Sequence, residues 1–213
     1  MIVSVHVPKS AGTSFRHVLD AIYGPSAWYN YGTIFTREQA RADLVPPGTK
    51  LIHGHFMGDS FDDLYPDREL ITWVRDPVER VVSNYHHFLR APDMRDDTCR
   101  AVHEQKLGLR AFADLDWMRN LTSRYLANKP VAAFKFVGIA EHFADSLEQY
   151  SAAFGFRPDR QFPRVNTNPE RQTDRYPLSP ADHAYIAERN AGDLAWYRQA
   201  LAGLEAFRTG SAG

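Results

Sequence analysis

Residues 3–19 read VSVHVPKSAGTSFRHVL, and this stretch decides the fold because an apolar run passes through a short polar loop into a helical pattern. The valine-rich run at residues 2–7 predicts a buried strand. Beyond the loop, apolar residues recur at the spacing of one helix face, at Phe15, Val18, Leu19 and Ile22. The sequence therefore predicts a strand, a tight loop and a helix in direct succession.

The loop has the composition of a phosphate-binding site. Gly12 permits a tight turn, and its small neighbours leave backbone N–H groups accessible at the start of a helix, where an anion is favoured. Lys9 adds a positive charge. The candidate cradle is the run Ser10, Ala11, Gly12, Thr13 and Ser14. The alternative is a strand–turn–helix connection that binds nothing. The Gly-Lys-Ser/Thr ending of nucleotide triphosphatases is absent, which disfavours an ATPase or GTPase.

Length and composition indicate a compact protein without a global charge. The 213 residues suit one domain, which we place at residues 1–207, followed by a disordered tail at residues 208–213. The net charge of −1 gives no field that would attract nucleic acid or an anionic membrane. The single cysteine, Cys99, excludes an internal disulfide. No signal peptide or membrane-spanning run is visible, so we expect a cytoplasmic protein, with the earlier loss of an anchor left open.

Apolar runs and helical patterns alternate along the rest of the chain. Strands are predicted at residues 50–55, Glu69–Val74 and 131–139, helices at residues 36–44, 141–154 and from Ser179 onward, and a polar loop at residues 157–177. The polar residues 91–129 form either a substrate-facing insertion or a solvated helical layer. The alternation predicts an α/β fold, specifically a P-loop-like fold with a central, mostly parallel β-sheet flanked by helices.

The segment TWVRDPVERVVSNYHH, residues 72–87, contains the clearest helix start in the chain. Asp76 is a good N-cap and Pro77 suits the first helical position. Arg75 ends the preceding strand, and Ser83 lies about two turns into the helix, on its polar side. Because arginine can direct two N–H donors at a phosphate, the pair predicts a second anion site. The alternative pairs Arg75 with a carboxylate and leaves Ser83 on the surface.

Two of these segments, HVPKSAGTS at residues 6–14 and RDPVERVVSNY at residues 75–85, together resemble the paired signature of the PAPS-dependent sulfotransferases. NLTSRYL at residues 120–126 and FVGIAEHFADSLEQY at residues 136–150 resemble later segments of the carbohydrate branch. The resemblance implies transfer of a sulfuryl group from 3′-phosphoadenosine 5′-phosphosulfate (PAPS) to a hydroxyl. The product nucleotide would be adenosine 3′,5′-bisphosphate, and no metal is expected.

The resemblance also implies roles for individual residues. Lys9 matches the lysine that contacts the 5′-phosphosulfate, and Ser10–Ser14 match its cradle. Arg75 and Ser83 match the arginine and serine that bind the 3′-phosphate. A donor of this kind needs no Mg²⁺, which accounts for the missing triphosphatase ending.

The stretch LIHGHF, residues 51–56, places His53 and His55 on one face of a strand, so both are expected to face the cleft. From the residues alone they are packing side chains, metal ligands or a general base. The stretch resembles the His-x-His of the heparan and uronyl 2-O-sulfotransferases, which favours His55 as the catalytic base and His53 as its helper or alternate. A carboxylate base from Asp59, Asp62 or Asp63 stays open.

The acceptor is the least determined part of the prediction. We expect a hydroxyl-bearing saccharide or glycoconjugate, although the chain looks shorter and less basic than the animal glycosaminoglycan enzymes. Local arginines either bind an acidic sugar or lie in a solvated surface: Arg90, Arg95, Arg100 and Arg110. A P-loop nucleotide kinase or triphosphatase and a non-catalytic nucleotide- or glycan-binding module of the same fold are the rival functions.

Overall fold

A central parallel sheet organises the computed structural model, which describes residues 1–32, 35–156 and 176–210. The strands are β1 (Ile2–His6), β2 (Ala27–Asn30), β3 (Leu51–Gly54), β4 (Glu69–Val74) and β5 (Phe136–Ile139). They lie in the order β2-β3-β1-β4-β5, and each neighbouring pair is parallel. The predicted α/β fold with a central parallel sheet is confirmed.

Helices connect β1 to β2 and β4 to β5, and helices cover both faces of the sheet. They are α1 (Gly12–Tyr23), α2 (Pro77–Arg90), α3 (Asp97–Glu104), α4 (Leu109–Asp114), α5 (Leu121–Tyr125), α6 (Phe143–Phe154), α7 (Pro180–Arg189) and α8 (Ala191–Arg208). None of the helices in the described ranges is long and apolar enough to cross a membrane.

The sheet separates two apolar clusters because successive side chains of a strand point to opposite faces. In β4, Ile71 and Trp73 pack with Phe15 of α1 and with α6, whereas Leu70 and Val74 pack with residues of α2 and α8. Burial on both faces explains why the strands read as nearly continuous apolar runs.

Two local predictions are wrong, and one strand was not predicted. The strand β2 was missed, since its four residues, AWYN, form too short a run to be recognised. Residues 36–44 form two short 3₁₀ turns instead of an α-helix, because Ala40 and Arg41 between them are extended. The fourth predicted strand is confined to Phe136–Ile139, preceded by a 3₁₀ turn at Val131–Ala133.

Several helix predictions hold. The start of α2 is confirmed, since the Asp76 carboxylate accepts hydrogen bonds from the N–H groups of Val78 and Glu79. The Ser179 side chain likewise caps α7. The loop predicted at residues 157–177 lies mostly outside the described residues. Of the tail predicted at residues 208–213, residues 211–213 lie outside them as well, whereas Arg208 is the last residue of α8.

The strand order brings the predicted site residues to one edge. β1 lies between β3 and β4. Lys9, His55 and Arg75 each follow the carboxyl end of one of these three strands. The connection after β1 leads to β2 on one side of β1, and the connection after β3 leads to β4 on the other side. Parallel α/β sheets form a ligand-binding crevice where the connections diverge in this way.

Candidate active site

A cavity of about 520 Å³ opens at this carboxyl edge. Its lining includes most of the predicted site, namely Lys9, Ala11, Gly12, Thr13, Ser14, His55, Arg75 and Ser83. Segments that are far apart in the chain therefore line the same cavity, because the carboxyl ends of parallel strands lie at one edge of the sheet. A cavity of this size is in the range that holds a nucleotide-sized ligand.

The loop between β1 and α1 is held in an unusual backbone conformation. Lys9 and Ala11 both have positive φ angles, 67° and 61°, which side-chain-bearing residues adopt rarely and at a cost. Ala11 occupies the N-cap position of α1, and no described side chain caps the helix there. The N–H groups at the start of α1 and the positive end of its dipole therefore adjoin the cavity beside Gly12–Ser14.

Lys9 is a partly buried cation without a counter-ion in the described part of the chain. Burial, followed by the charges of Arg75 and Arg90, lowers the pKa of Lys9 from 10.5 to about 8. No carboxylate among the described residues raises the pKa of Lys9. Because cations in a partly dry site repel one another, this cluster favours a bound anion.

Arg75 is buried and contacts two carboxylates. Its Nη2 is 3.2 Å from Glu79 Oε2, and its Nε is 3.7 Å from Glu141 Oε1. The predicted alternative of a carboxylate partner is therefore correct for Arg75, which nevertheless lines the cavity. Ser83 is buried and also lines the cavity, so the polar face of α2 turns inward and not to solvent.

His55 has the protonation pattern that a general base requires. Its Nδ1 is 2.9 Å from the backbone carbonyl oxygen of His6, which can only accept, so Nδ1 carries the hydrogen and Nε2 keeps its lone pair. Burial lowers the pKa of His55, although the bond to His6 opposes the shift. His55 is therefore neutral near pH 7, and its side chain lines the cavity.

His53 does not face the cleft as predicted. The side chain is 2% exposed, its Nδ1 is 2.8 Å from Ser4 Oγ, and burial lowers its pKa to about 3. It lies one layer deeper than His55, against the rings of Phe15 and Tyr29. His53 and His55 lie on the same face, as predicted, but neighbouring side chains cover His53, so it cannot reach an acceptor.

Ser10 also differs from the prediction. Its side chain is fully buried, and its hydroxyl has no hydrogen-bond partner among the described residues. Any contact of Ser10 with a ligand would therefore come from its backbone.

The carboxylates considered as bases lie away from the cavity. Asp62 pairs with Arg68 and with Lys129, whose Nζ is 2.8 Å from Asp62 Oδ2, and Asp63 pairs with Arg37. Asp59 does not line the cavity either. Among the described residues, no three His, Cys, Asp or Glu side chains form a group that could hold a metal ion.

Of the four arginines considered for an acidic sugar, Arg90 alone lines the cavity. The other three form ion pairs elsewhere, Arg95 with Asp93, Arg100 with Asp97 and Arg110 with Asp182. For those three the surface interpretation is the one that fits the structure.

Sequence reasoning missed an aromatic wall beyond His55. Trp117 is 37% exposed, and its ring centroid is 6.0 Å from those of Phe35 and Tyr125. Trp117 and Tyr125 line the cavity, together with Met118 and Leu121. Arg80 of α2, fully buried, donates from Nη2 to the Met118 carbonyl at 3.1 Å and ties this wall to the helix that carries Ser83. Part of the polar stretch at residues 91–129 therefore faces the cavity, which agrees with the substrate-facing alternative, and its single tryptophan was a signal that could have located the wall.

Comparison with known proteins gives a family and two structural likenesses. A model described as the sulfotransferase family matches residues 1–198. A sulfotransferase from Alicyclobacillus acidocaldarius is similar at 16% identity and TM-score 0.47, covering 91% of this chain and 95% of that one. Mouse sulfotransferase SULT7A1 complexed with PAP is similar at 15% identity and TM-score 0.47, covering 91% of this chain and 65% of the mouse chain. A search of curated protein sequences gives no match.

Proposed function

The chain belongs to the sulfotransferase family, and from that premise we propose that it transfers a sulfuryl group from PAPS to a hydroxyl of a saccharide. The observation that carries the proposal is Lys9, a cation for which the described residues provide no counter-ion, beside the start of α1 and in one cavity with Arg75 and a neutral His55. A donor with a phosphosulfate at one end and a phosphate at the other complements two separate cationic positions.

The donor would lie across the carboxyl end of β1. Its 5′-phosphosulfate meets Lys9 and the N–H groups of Gly12, Thr13 and Ser14, where the helix dipole favours negative charge. Its 3′-phosphate meets Arg75 and Ser83. This assignment is supported by the inward position of Ser83 and by the low pKa of Lys9, which a bound anion would raise again.

The reaction then needs a base, a nucleophile and a leaving group in line. The acceptor hydroxyl gives its proton to His55 Nε2 as its oxygen forms a bond to sulfur. The bond from sulfur to the 5′-phosphate oxygen breaks, and the negative charge stays on the departing bisphosphate. Lys9 and the loop N–H groups stabilise that charge, which is preorganised electrostatic catalysis.

The aromatic wall supports a ring-shaped acceptor. Trp117 presents an exposed face beside Tyr125, and His55 lies 6.3 Å from the Tyr125 ring, measured between centroids. A saccharide ring can lay its C–H face on an indole while one of its hydroxyls reaches the base. Burial raises the pKa of Tyr125 to about 12, so the phenol stays protonated and available as a hydrogen-bond donor.

Label transfer from ³⁵S-PAPS tests the proposal. Wild-type protein is incubated with panels of neutral glycans, acidic glycans and phenols, beside His55→Ala and the control His103→Ala, whose ring lies outside the cavity lining. We expect transfer to a saccharide that His55→Ala abolishes and His103→Ala retains. Transfer to phenols alone would overturn the acceptor class, and absence of transfer to every acceptor would favour the binding-module rival.

A further inference from the structure

We propose that His6 is a positioning residue that sets the orientation of His55 against the donor-binding loop. The inference rests on the proposed function for the role of His55 as base. His6 is the last residue of β1, lines the cavity and contacts both His55 and Gly12.

The first contact fixes the hydrogen on His55. The backbone carbonyl of His6 accepts from Nδ1 of His55 and leaves Nε2 as the basic atom. This contact belongs to the backbone, so it would survive replacement of the His6 side chain.

The second contact fixes the plane of the His55 ring. The two imidazole rings are stacked, with centroids 4.3 Å apart and planes 19° apart. The His6 ring also stacks with the His53 ring, with centroids 5.2 Å apart, and packs edge to face with the Tyr31 ring, with centroids 5.8 Å apart. His6 is therefore the middle ring of a packed stack that reaches His55.

The third contact joins the stack to the loop. A Cβ added at Gly12 would overlap the imidazole of His6, so the loop and the ring touch directly. Absence of a side chain at Gly12 is thus required by the His6 ring and not by the backbone angle, since Gly12 has no positive φ. Any shift of the loop would push the His6 ring, and with it His55.

The charge state of His6 agrees with a packing role. Burial, followed by His55, His53 and Lys9, holds the pKa of His6 well below its usual 6.5. The ring is neutral, and its Nδ1 has no partner in the described part of the chain. It therefore adds no charge to the donor site, and its contribution is the orientation of His55.

The kinetic test compares His6→Ala with His17→Ala, a control on the exposed side of α1. We expect His6→Ala to lower kcat by ~10–100-fold, since misplacing a reacting group by about 1 Å has effects of that size. Its KM for PAPS and its Kd for adenosine 3′,5′-bisphosphate should stay within about threefold of wild type, as should all constants of His17→Ala. An unchanged kcat, or a parallel loss of kcat and nucleotide binding, would overturn the proposal. If His6→Ala does not fold, His6→Asn replaces it.

Two further measurements do not depend on turnover. Histidine ¹⁵N NMR should show His55 as the Nδ1–H tautomer in both proteins, with the His55 signals broadened in His6→Ala because the ring is no longer held in one plane. Gly12→Ala should weaken bisphosphate binding by more than ~10-fold in wild type and by less than ~3-fold in a His6→Ala background, because the overlap is gone. Unaltered His55 signals, or equal costs of Gly12→Ala in both backgrounds, would contradict the coupling even in a protein that transfers no sulfate.

Discussion

At the scale of single residues, the charge of Lys9 is the main property of the site. Its ammonium lies beside two other cations, and nothing acidic among the described residues balances it. The protein therefore keeps a destabilised positive charge in place, and an anionic ligand relieves that cost on binding.

The low pKa of Lys9 gives a pH dependence with a definite sign. The ammonium is present below a pH of about 8 and is lost above it, so affinity for adenosine 3′,5′-bisphosphate should fall as the pH rises through 8. Binding at pH 8 should also take up protons, which calorimetry in buffers of different ionisation enthalpy measures. Lys9→Met should bind more weakly and lose the dependence, whereas the exposed Lys50→Met should match wild type. Equal pH profiles for wild type and Lys9→Met would contradict this role.

Ser83 offers a cleaner test of the 3′-phosphate position than Arg75 does. Removing Arg75 would also strip a buried partner from Glu79, and breaking such a pair costs about 3–5 kcal/mol of stability. Ser83→Ala loses only a hydroxyl, so we expect KM for PAPS to rise by ~3–10-fold with kcat nearly unchanged. Steady-state kinetics with varied PAPS measures both. A fall in kcat at constant KM would place the hydroxyl near the reacting atoms instead.

Trp117 should affect the acceptor and not the donor. Trp117→Ala removes the exposed face of the wall, so KM for the acceptor should rise by ~2–12-fold, the loss expected from one aromatic contact of about 0.5–1.5 kcal/mol. Binding of adenosine 3′,5′-bisphosphate, measured by calorimetry, should stay as in wild type. The control is Trp28→Ala in β2, since Trp28 lies outside the cavity lining. Weaker nucleotide binding in Trp117→Ala would show that the wall serves the donor.

At the scale of elements, α5 depends on contacts far along the chain. Asp193 of α8 is fully buried, and its carboxylate accepts from the N–H groups of Thr122 and Ser123 at 2.9 and 2.8 Å. It caps a helix of five residues that ends at Tyr125, in the cavity wall. Helix α8 thus holds part of the acceptor side in place.

Asp193→Asn should therefore lower the free energy of unfolding by about 2–3 kcal/mol, because it replaces charged hydrogen bonds at a helix start with weaker ones. Urea denaturation followed by circular dichroism measures the change. Asp43→Asn is the matched control, since Asp43 pairs with Arg41 on the surface and should change stability by less than ~0.5 kcal/mol. Equal effects of the two substitutions would argue against the cap.

The elements also show what a sequence can predict. Strong local signals were sufficient for β1, β4 and the start of α2, where Asp76 and Pro77 determine the helix boundary. The capping box at Thr36 was present but gave only a 3₁₀ turn, because a cap favours a first turn and tertiary packing decides whether more follow. The depth of His53 could not be predicted, since strand spacing gives the face of a side chain but not what covers it.

At the scale of the whole molecule, the strand order makes the site. Because β1 lies between β3 and β4, Lys9, His55 and Arg75 meet at one edge of the sheet although they are far apart in the chain. The aromatic wall comes from α5 and the turn before it, and although the segment NLTSRYL at residues 120–126 was noticed, its sequence did not show that Tyr125 faces the cavity. The proposed donor site was predicted from short motifs, whereas the proposed acceptor contacts depend on the assembled fold.

The most direct test of the account is a calorimetric comparison of nucleotides, since its central claim is a site for two separated anionic groups. Adenosine 3′,5′-bisphosphate, adenosine 5′-monophosphate and ATP are titrated into the wild-type protein with and without Mg²⁺. The bisphosphate should bind ~100-fold or more tightly than the monophosphate, as two charge-assisted bonds to the 3′-phosphate predict, and Mg²⁺ should not matter. Tighter binding of Mg²⁺–ATP, or equal binding of the monophosphate and the bisphosphate, would contradict it.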